Sequence, residues 1–162
     1  MKKFFLLLFI FIILTSCAPS HELLYYQEKS VRAECTLNGE YGIVIEKTDG
    51  LKRVVITSPS ELAGTSFEIL NEECYIKSAD GIKMSIERSN ISGICALVNI
   101  FSLNEENMIK SEPSENSSAV YTFLENGIAY EVTYNKNSLP SFIHITSNDF
   151  KYDIEINAIE LE

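Results

Sequence analysis

The fold is decided by residues 126–156, which read NGIAYEVTYNKNSLPSFIHITSNDFKYDIEI. After Asn126-Gly127, apolar side chains occupy every second position from Ile128 to Tyr134 and again from Phe150 to Ile156. A period of two places alternate side chains on opposite faces of a strand. Because one face is apolar and the other polar, this stretch predicts antiparallel strands with one face in the core and one in water.

The same pattern continues toward the N-terminus. Asn-Gly and Asp-Gly pairs favour tight hairpin turns, and they occur at residues 38–39, 49–50, 80–81 and 126–127. Further strands are predicted at residues 31–38, 41–47, 52–58, 66–70, 74–78, 82–87, 119–125 and 142–147. The polar composition of residues 104–118 predicts an exposed loop.

A sheet with one apolar face needs a second layer to cover it. Residues 91–103, ISGICALVNIFSL, place apolar side chains at helical spacing along one face. Further apolar side chains lie on the other sides of the predicted helix. We therefore predict a helix that is either buried on most sides or surrounded by a curved sheet.

The N-terminal segment has the composition of an export signal. Lys2 and Lys3 precede an uncharged apolar run from Phe4 to Leu14, which is shorter than the about 20 residues that a spanning helix needs. A basic start, a short apolar run and then small residues are typical of a cleaved signal peptide.

Leu14-Thr15-Ser16-Cys17 resembles the lipobox of bacterial lipoproteins. The resemblance implies a lipid on the Cys17 thiol, a signal peptide at residues 1–16, a lipidated tether at 17–30 and one domain at 31–162. It also implies an exported protein anchored on the extracytoplasmic face of the cell membrane, or in the outer membrane of a host that has one. The alternative is an ordinary secretory signal with an incidental cysteine.

Charge limits the partners that the domain can bind. The chain carries 13 basic and 23 acidic residues, a net charge of −10, and loses Lys2 and Lys3 if the signal is removed. Such a surface repels phosphates, so neither nucleic acid nor direct binding to anionic headgroups is expected. The membrane partner is reached through the lipid on Cys17.

The residues that carry chemistry are few. Only His21 and His144 are histidines, and His144 alternates with isoleucines on a predicted strand. No nucleophile, phosphate-binding or metal-binding motif occurs, so we expect no enzyme activity, no metal and no cofactor. Cys35, Cys74 and Cys95 lack zinc-site spacing. Either all three are buried thiols or two of them form a disulfide.

The order of elements resembles that of the LolA/LolB-type lipoprotein carriers and related mycobacterial lipoproteins. The similarity covers residues 31–157 and includes the stretch from Ser58-Pro59 to Phe67 and the Leu139-Pro140 pair. It implies a mainly β, α+β fold: a strongly curved antiparallel sheet, an unclosed half-barrel with one or two helices on its concave face. Because LolA-type carriers are usually soluble and basic residues figure in their function, a lipidated acidic chain is more similar to LolB-like or Gram-positive relatives.

Eight apolar residues are expected on or near the concave side, where they would bind a lipid or a lipoprotein acyl chain. They are Phe67, Met84, Phe101, Tyr130, Tyr134, Phe142, Phe150 and Tyr152. The alternative is that they fill an ordinary core. The two functional hypotheses are accordingly a tethered carrier of a hydrophobic ligand and an envelope protein with a filled core that binds another protein.

Overall fold

The computed structural model describes residues 24–113 and 119–162. The predicted signal peptide, Cys17 and the tether up to residue 23 lie outside the described residues. Within the described ranges, no helix is both long enough and apolar enough to cross a membrane.

Eleven strands form one antiparallel sheet. The first six are β1 (Val31–Leu37), β2 (Tyr41–Thr48), β3 (Leu51–Ser58), β4 (Ser66–Leu70), β5 (Glu73–Lys77) and β6 (Lys83–Ser85). The other five are β7 (Met108–Pro113), β8 (Ala119–Glu125), β9 (Ile128–Tyr134), β10 (Pro140–Thr146) and β11 (Lys151–Leu161).

The strand order is β6-β5-β4-β3-β2-β1-β11-β10-β9-β8-β7. The chain therefore runs outward from β1 to one edge and returns by a second series of hairpins from the other edge. β1 pairs with β11 from Val31 opposite Leu161 to Leu37 opposite Ile154, which joins the two halves. The edge strands β6 and β7 are not paired with each other, so the sheet is not closed.

The helix α1 (Ser92–Asn99) lies on the concave face and continues into a 3₁₀ turn at Ile100–Ser102. Its buried residues are Cys95, Ala96, Leu97 and Val98. The helix meets both halves of the sheet, because Lys52 of β3 binds Asn99 while Tyr152 of β11 lies against Gly93. The predicted mainly β, unclosed half-barrel with a helix on its concave face is confirmed.

The hairpin turns follow the predicted pairs. Asn38 and Gly39 both have positive φ between β1 and β2, as do Asn126 and Gly127 between β8 and β9. These angles suit tight turns that match the twist of the flanking strands. The β8–β9 connection has two residues, and the β1–β2 connection has three. The turn between β4 and β5 lacks a glycine, and Asn71 and Glu72 adopt positive φ there instead.

Two predicted boundaries were wrong. Residues 104–118 contain a strand, because Met108–Pro113 forms β7 along the edge of β8. The packed domain also begins before residue 31, since Leu24 and Tyr26 are buried in the core. Tyr26 belongs to a short 3₁₀ helix, Tyr25–Glu28. Its aromatic ring packs edge-on against that of Phe101.

Gly93 allows α1 to approach β11 closely. A Cβ added there would lie 3.1 Å from two ring carbons of Tyr152 and closer still to its hydroxyl oxygen. We expect Gly93→Ala to lower the free energy of unfolding by about 1–3 kcal/mol, the usual cost of overpacking. Urea denaturation of the full chain measures this. Tyr152→Phe in the same chain should recover part of the loss, and an unchanged loss would contradict the assigned contact.

Candidate functional site

An apolar row crosses the concave face from the centre of the sheet to its β6 edge. It consists of Ile45, Val54, Phe67, Ile76 and Met84, which oppose one another in turn on β2 to β6. Ile45 is fully buried and Val54 is 1% exposed, whereas Met84 is 55% exposed. Phe67 and Ile76 are partly buried between them. The concave face is thus covered at its centre and open toward β6.

Three of the predicted ligand residues lie in the closed part of the core. Phe101, Tyr130 and Tyr134 are buried, and Tyr134 stacks on Tyr26 at 6.5 Å between ring centroids. The hydroxyl oxygens of Tyr26 and Tyr134 form a buried hydrogen bond of 2.9 Å. In the folded chain these side chains belong to one buried cluster with the helix segment. They therefore fill the core, as the second interpretation of the sequence allowed.

Burial also governs the ionisation of these tyrosines. It raises the pKa of Tyr26 to about 12, and the hydrogen bond from Tyr134 partly opposes that rise. Burial likewise raises the pKa of Tyr130 and of Tyr134. All three phenols therefore remain neutral at physiological pH.

The remaining predicted residues lie in three different environments. Phe150 and Tyr152 stack on each other at 5.1 Å and pack, partly buried, against the core beside the start of α1. Phe67 and Met84 belong to the open part of the apolar row. Phe142 was wrongly placed on the concave side. It lies opposite Glu155 and Thr133 and is 41% exposed, because its neighbour Ile143 is the residue that faces inward.

Two lysines also point to the concave side, where they hold the C-terminal end of the helix segment. Lys47 Nζ donates to the Phe101 carbonyl at 2.9 Å and also to that of Gln27. Lys52 Nζ donates to Asn99 Oδ1 at 3.2 Å. Cations are favourable at a helix C-terminus because the last carbonyl groups are partially negative.

A cleft of about 330 Å³ opens beside Lys52, between the turns at the ends of the strands and the helix. Its polar side chains include Lys52, Arg88, Asn99, Asn71 and Glu72. Burial, followed by repulsion from Arg88, lowers the pKa of Lys52, while attraction from Glu125 has a smaller opposing effect. The cleft therefore brings two cationic side chains close together in a protein of net charge −10.

Sequence reasoning missed Lys47, Lys52, Arg88 and Ile76. A signal was present for the lysines, since Lys47 continues the period-two series of Ile43 and Ile45, and Lys52 that of Val54 and Ile56. Arg88 has no such signal. It precedes the helix in the 3₁₀ turn Arg88–Ile91, and only the packing of that turn brings it to Lys52.

The described residues show no group of metal-ligating side chains. His144 lies on the face opposite Ile143 and Ile145, as predicted, and its Nδ1 is 2.5 Å from Asp153 Oδ1. Its Nε2 is 2.9 Å from the Thr146 hydroxyl. Cys35, Cys74 and Cys95 are free and buried, and burial raises the pKa of the Cys35 thiol to about 12.

Comparison with protein-family models and with curated protein sequences gives no match. Among solved structures, the chain is similar to an uncharacterized conserved protein from Thermus thermophilus, with 12% identity and a TM-score of 0.50 over 88% of this chain and 87% of that one. This likeness shows a shared fold.

Two further structures are more distantly similar. One is a putative outer membrane lipoprotein-sorting protein domain from Vibrio parahaemolyticus, with 11% identity and a TM-score of 0.49 over 88% of this chain and 90% of that one. The other is a LolA superfamily protein from Nitrosomonas europaea, with 9% identity and a TM-score of 0.44 over 88% of this chain and 93% of that one.

The Tyr26–Tyr134 hydrogen bond should matter for stability. Tyr26→Phe leaves the Tyr134 hydroxyl buried without its partner, and we expect a loss of about 1–3 kcal/mol in the free energy of unfolding. Removing both hydroxyls should cost less than the sum of the two single changes, because no buried hydroxyl of the pair is then left unpaired. Urea unfolding of the three variants measures the coupling, and strict additivity would contradict it.

Proposed function

We propose that this protein is a non-catalytic, membrane-tethered lipoprotein of the cell envelope that binds an acyl chain against the open part of the apolar row. The single observation that carries the proposal is the rise in exposure along that row, from buried Val54 to Met84. Soluble proteins rarely leave a continuous concave apolar surface uncovered, and such surfaces mark binding sites.

The proposed contact surface differs from the one expected from sequence. Phe101, Tyr130 and Tyr134 serve the core, whereas Phe67, Ile76 and Met84 supply the surface that an acyl chain would touch. Ile82, which is exposed in the turn before β6, extends the apolar area to the rim. The resemblance of the sequence to lipoprotein carriers agrees with this proposal.

The proposed tether has a physical rationale as well. A lipid on Cys17 would hold the domain near the membrane, where acyl chains are found. Leu24, which is buried and is the first of the described residues, follows Cys17 closely in the sequence. A short connection keeps the domain near the membrane surface.

A second candidate function rests on the free edge of β7. Ile109 is 63% exposed there, and Met108 beside it is also exposed. An unpaired edge strand offers main-chain hydrogen bonds to a strand of another protein. This is the envelope protein-binding alternative, in which the sheet binds no lipid.

The acyl-chain proposal is tested by photolabelling the full-length protein in an uncharged detergent with a diazirine-bearing fatty alcohol. We expect adducts on residues 66–85. Met84→Asp should reduce labelling about tenfold, because it replaces an apolar contact worth about 1.5 kcal/mol with a charge. Phe142→Asp is the matched control, since it places the same charge on another exposed apolar residue, on the opposite face.

Equal labelling of the two aspartate variants would overturn the acyl-chain proposal. A photoreactive residue at position 109 of the protein in its native membranes tests the alternative. A discrete protein adduct at 109 with no lipid adduct anywhere would favour the protein-binding function instead.

Lipidation is tested separately by metabolic labelling with palmitate. We expect Cys17→Ser to abolish incorporation of the label and to release the protein from the membrane fraction. Cys95→Ala is the control, because it removes a buried thiol that no lipid reaches. Retention of the label in the Cys17 variant would refute the tether.

A further inference from the structure

The cleft beside the apolar row has the features of an anion site. Lys52 and Arg88 both line it, together with the amides Asn71 and Asn99. Among the described residues, neither cation forms an ion pair with a carboxylate. Two positive charges held close together repel each other.

Four other basic residues of the sheet, Arg32, Arg53, Lys83 and Lys110, form ion pairs with carboxylates. On the convex face Arg53 pairs with Glu46 and Glu68, and Lys83 pairs with Glu68. Lys52 has only an uncharged partner, Asn99 Oδ1, and the field of Arg88 outweighs that of Glu125 at its amine. An anion between Lys52 and Arg88 would remove this repulsion.

The cleft and the apolar row share two strands and one face. Lys52 and Val54 project to the same side of β3, and Ile69 and Phe67 to the same side of β4. Two residues along a strand span about 7 Å. The cationic end of the site therefore lies next to the apolar surface. An amphiphile with an anionic headgroup requires this arrangement.

We propose that Lys52 and Arg88 bind the anionic headgroup, a carboxylate or a phosphate, of an amphiphile whose chain lies on the apolar row. This inference rests on the proposed function for the chain, but the headgroup site stands on its own residues. Asn99 and Asn71 would donate hydrogen bonds to the same anion.

The test compares three diazirine-bearing ligands of equal chain length: a fatty acid, an alkyl phosphate and the fatty alcohol. The full-length protein is labelled in an uncharged detergent. We expect the two anions to label the wild type about tenfold more than the alcohol, the gain of one charge-assisted interaction. Lys52→Gln with Arg88→Gln should abolish that preference and leave alcohol labelling unchanged.

The control is Lys136→Gln with Lys151→Gln, which removes the same charge from two exposed lysines elsewhere. This control variant should keep the preference for anions. Replacing Arg88 with lysine instead of glutamine should retain part of that preference. Because Arg88 is exposed, its single variants keep the fold. Circular dichroism checks the fold of each variant.

The outcomes separate the two proposals. If the wild type labels equally with acid and alcohol, the headgroup site is wrong and the acyl-chain function stands. If no amphiphile labels the protein, but inorganic phosphate broadens amide resonances of the wild type and not of the double glutamine variant, the cleft binds a free anion and the acyl-chain function is wrong. If neither amphiphile nor phosphate distinguishes the double variant, the anion site is refuted.

Discussion

The rest of the structure depends on the burial of one short helix against the concave face of the sheet. An eight-residue helix is about 12 Å long, and its 3₁₀ extension adds about 6 Å. Because neighbouring strands lie about 4.8 Å apart, this length covers about four of them. The sheet has eleven strands, so curvature must cover part of the remaining apolar face, and the row toward β6 stays open.

The short length of the helix segment also bears on where the charged side chains lie. Convex-face cations meet carboxylates on adjacent strands, in pairs that are partly exposed to water. The two concave lysines instead reach the carbonyl groups and side chains where the helix segment ends. Two inward cations thus lie at the C-terminal end of the helix segment, and one of them, Lys52, is at the edge of the uncovered surface. The side chain that contacts the helix segment also supplies half of the proposed headgroup site.

Most of the fold could be predicted from the residues, because strand alternation and turn residues are local. The exceptions have physical causes. β7 lacks an alternating apolar face, so its sequence does not predict a strand, and its pairing with β8 is what makes it one. Phe142 was misplaced although it shares the parity of His144, whose outward position was recognised. The candidate site was predicted only in part: Phe67 and Met84 lie on the open row, whereas Phe101, Tyr130 and Tyr134 fill the core.

By itself the sequence determined the class of sheet, the main hairpins, the covering helix and the scarcity of catalytic side chains, since each follows from spacing along the chain. The resemblance of residues 1–17 to an export and lipidation signal is likewise a prediction from the sequence alone. Only the tertiary structure decided which apolar residues are buried and which remain accessible, and that Arg88 meets Lys52. The exposure of each apolar side chain and the distance between the two cations depend on where the helix ends over the sheet. No local sequence pattern encodes that position.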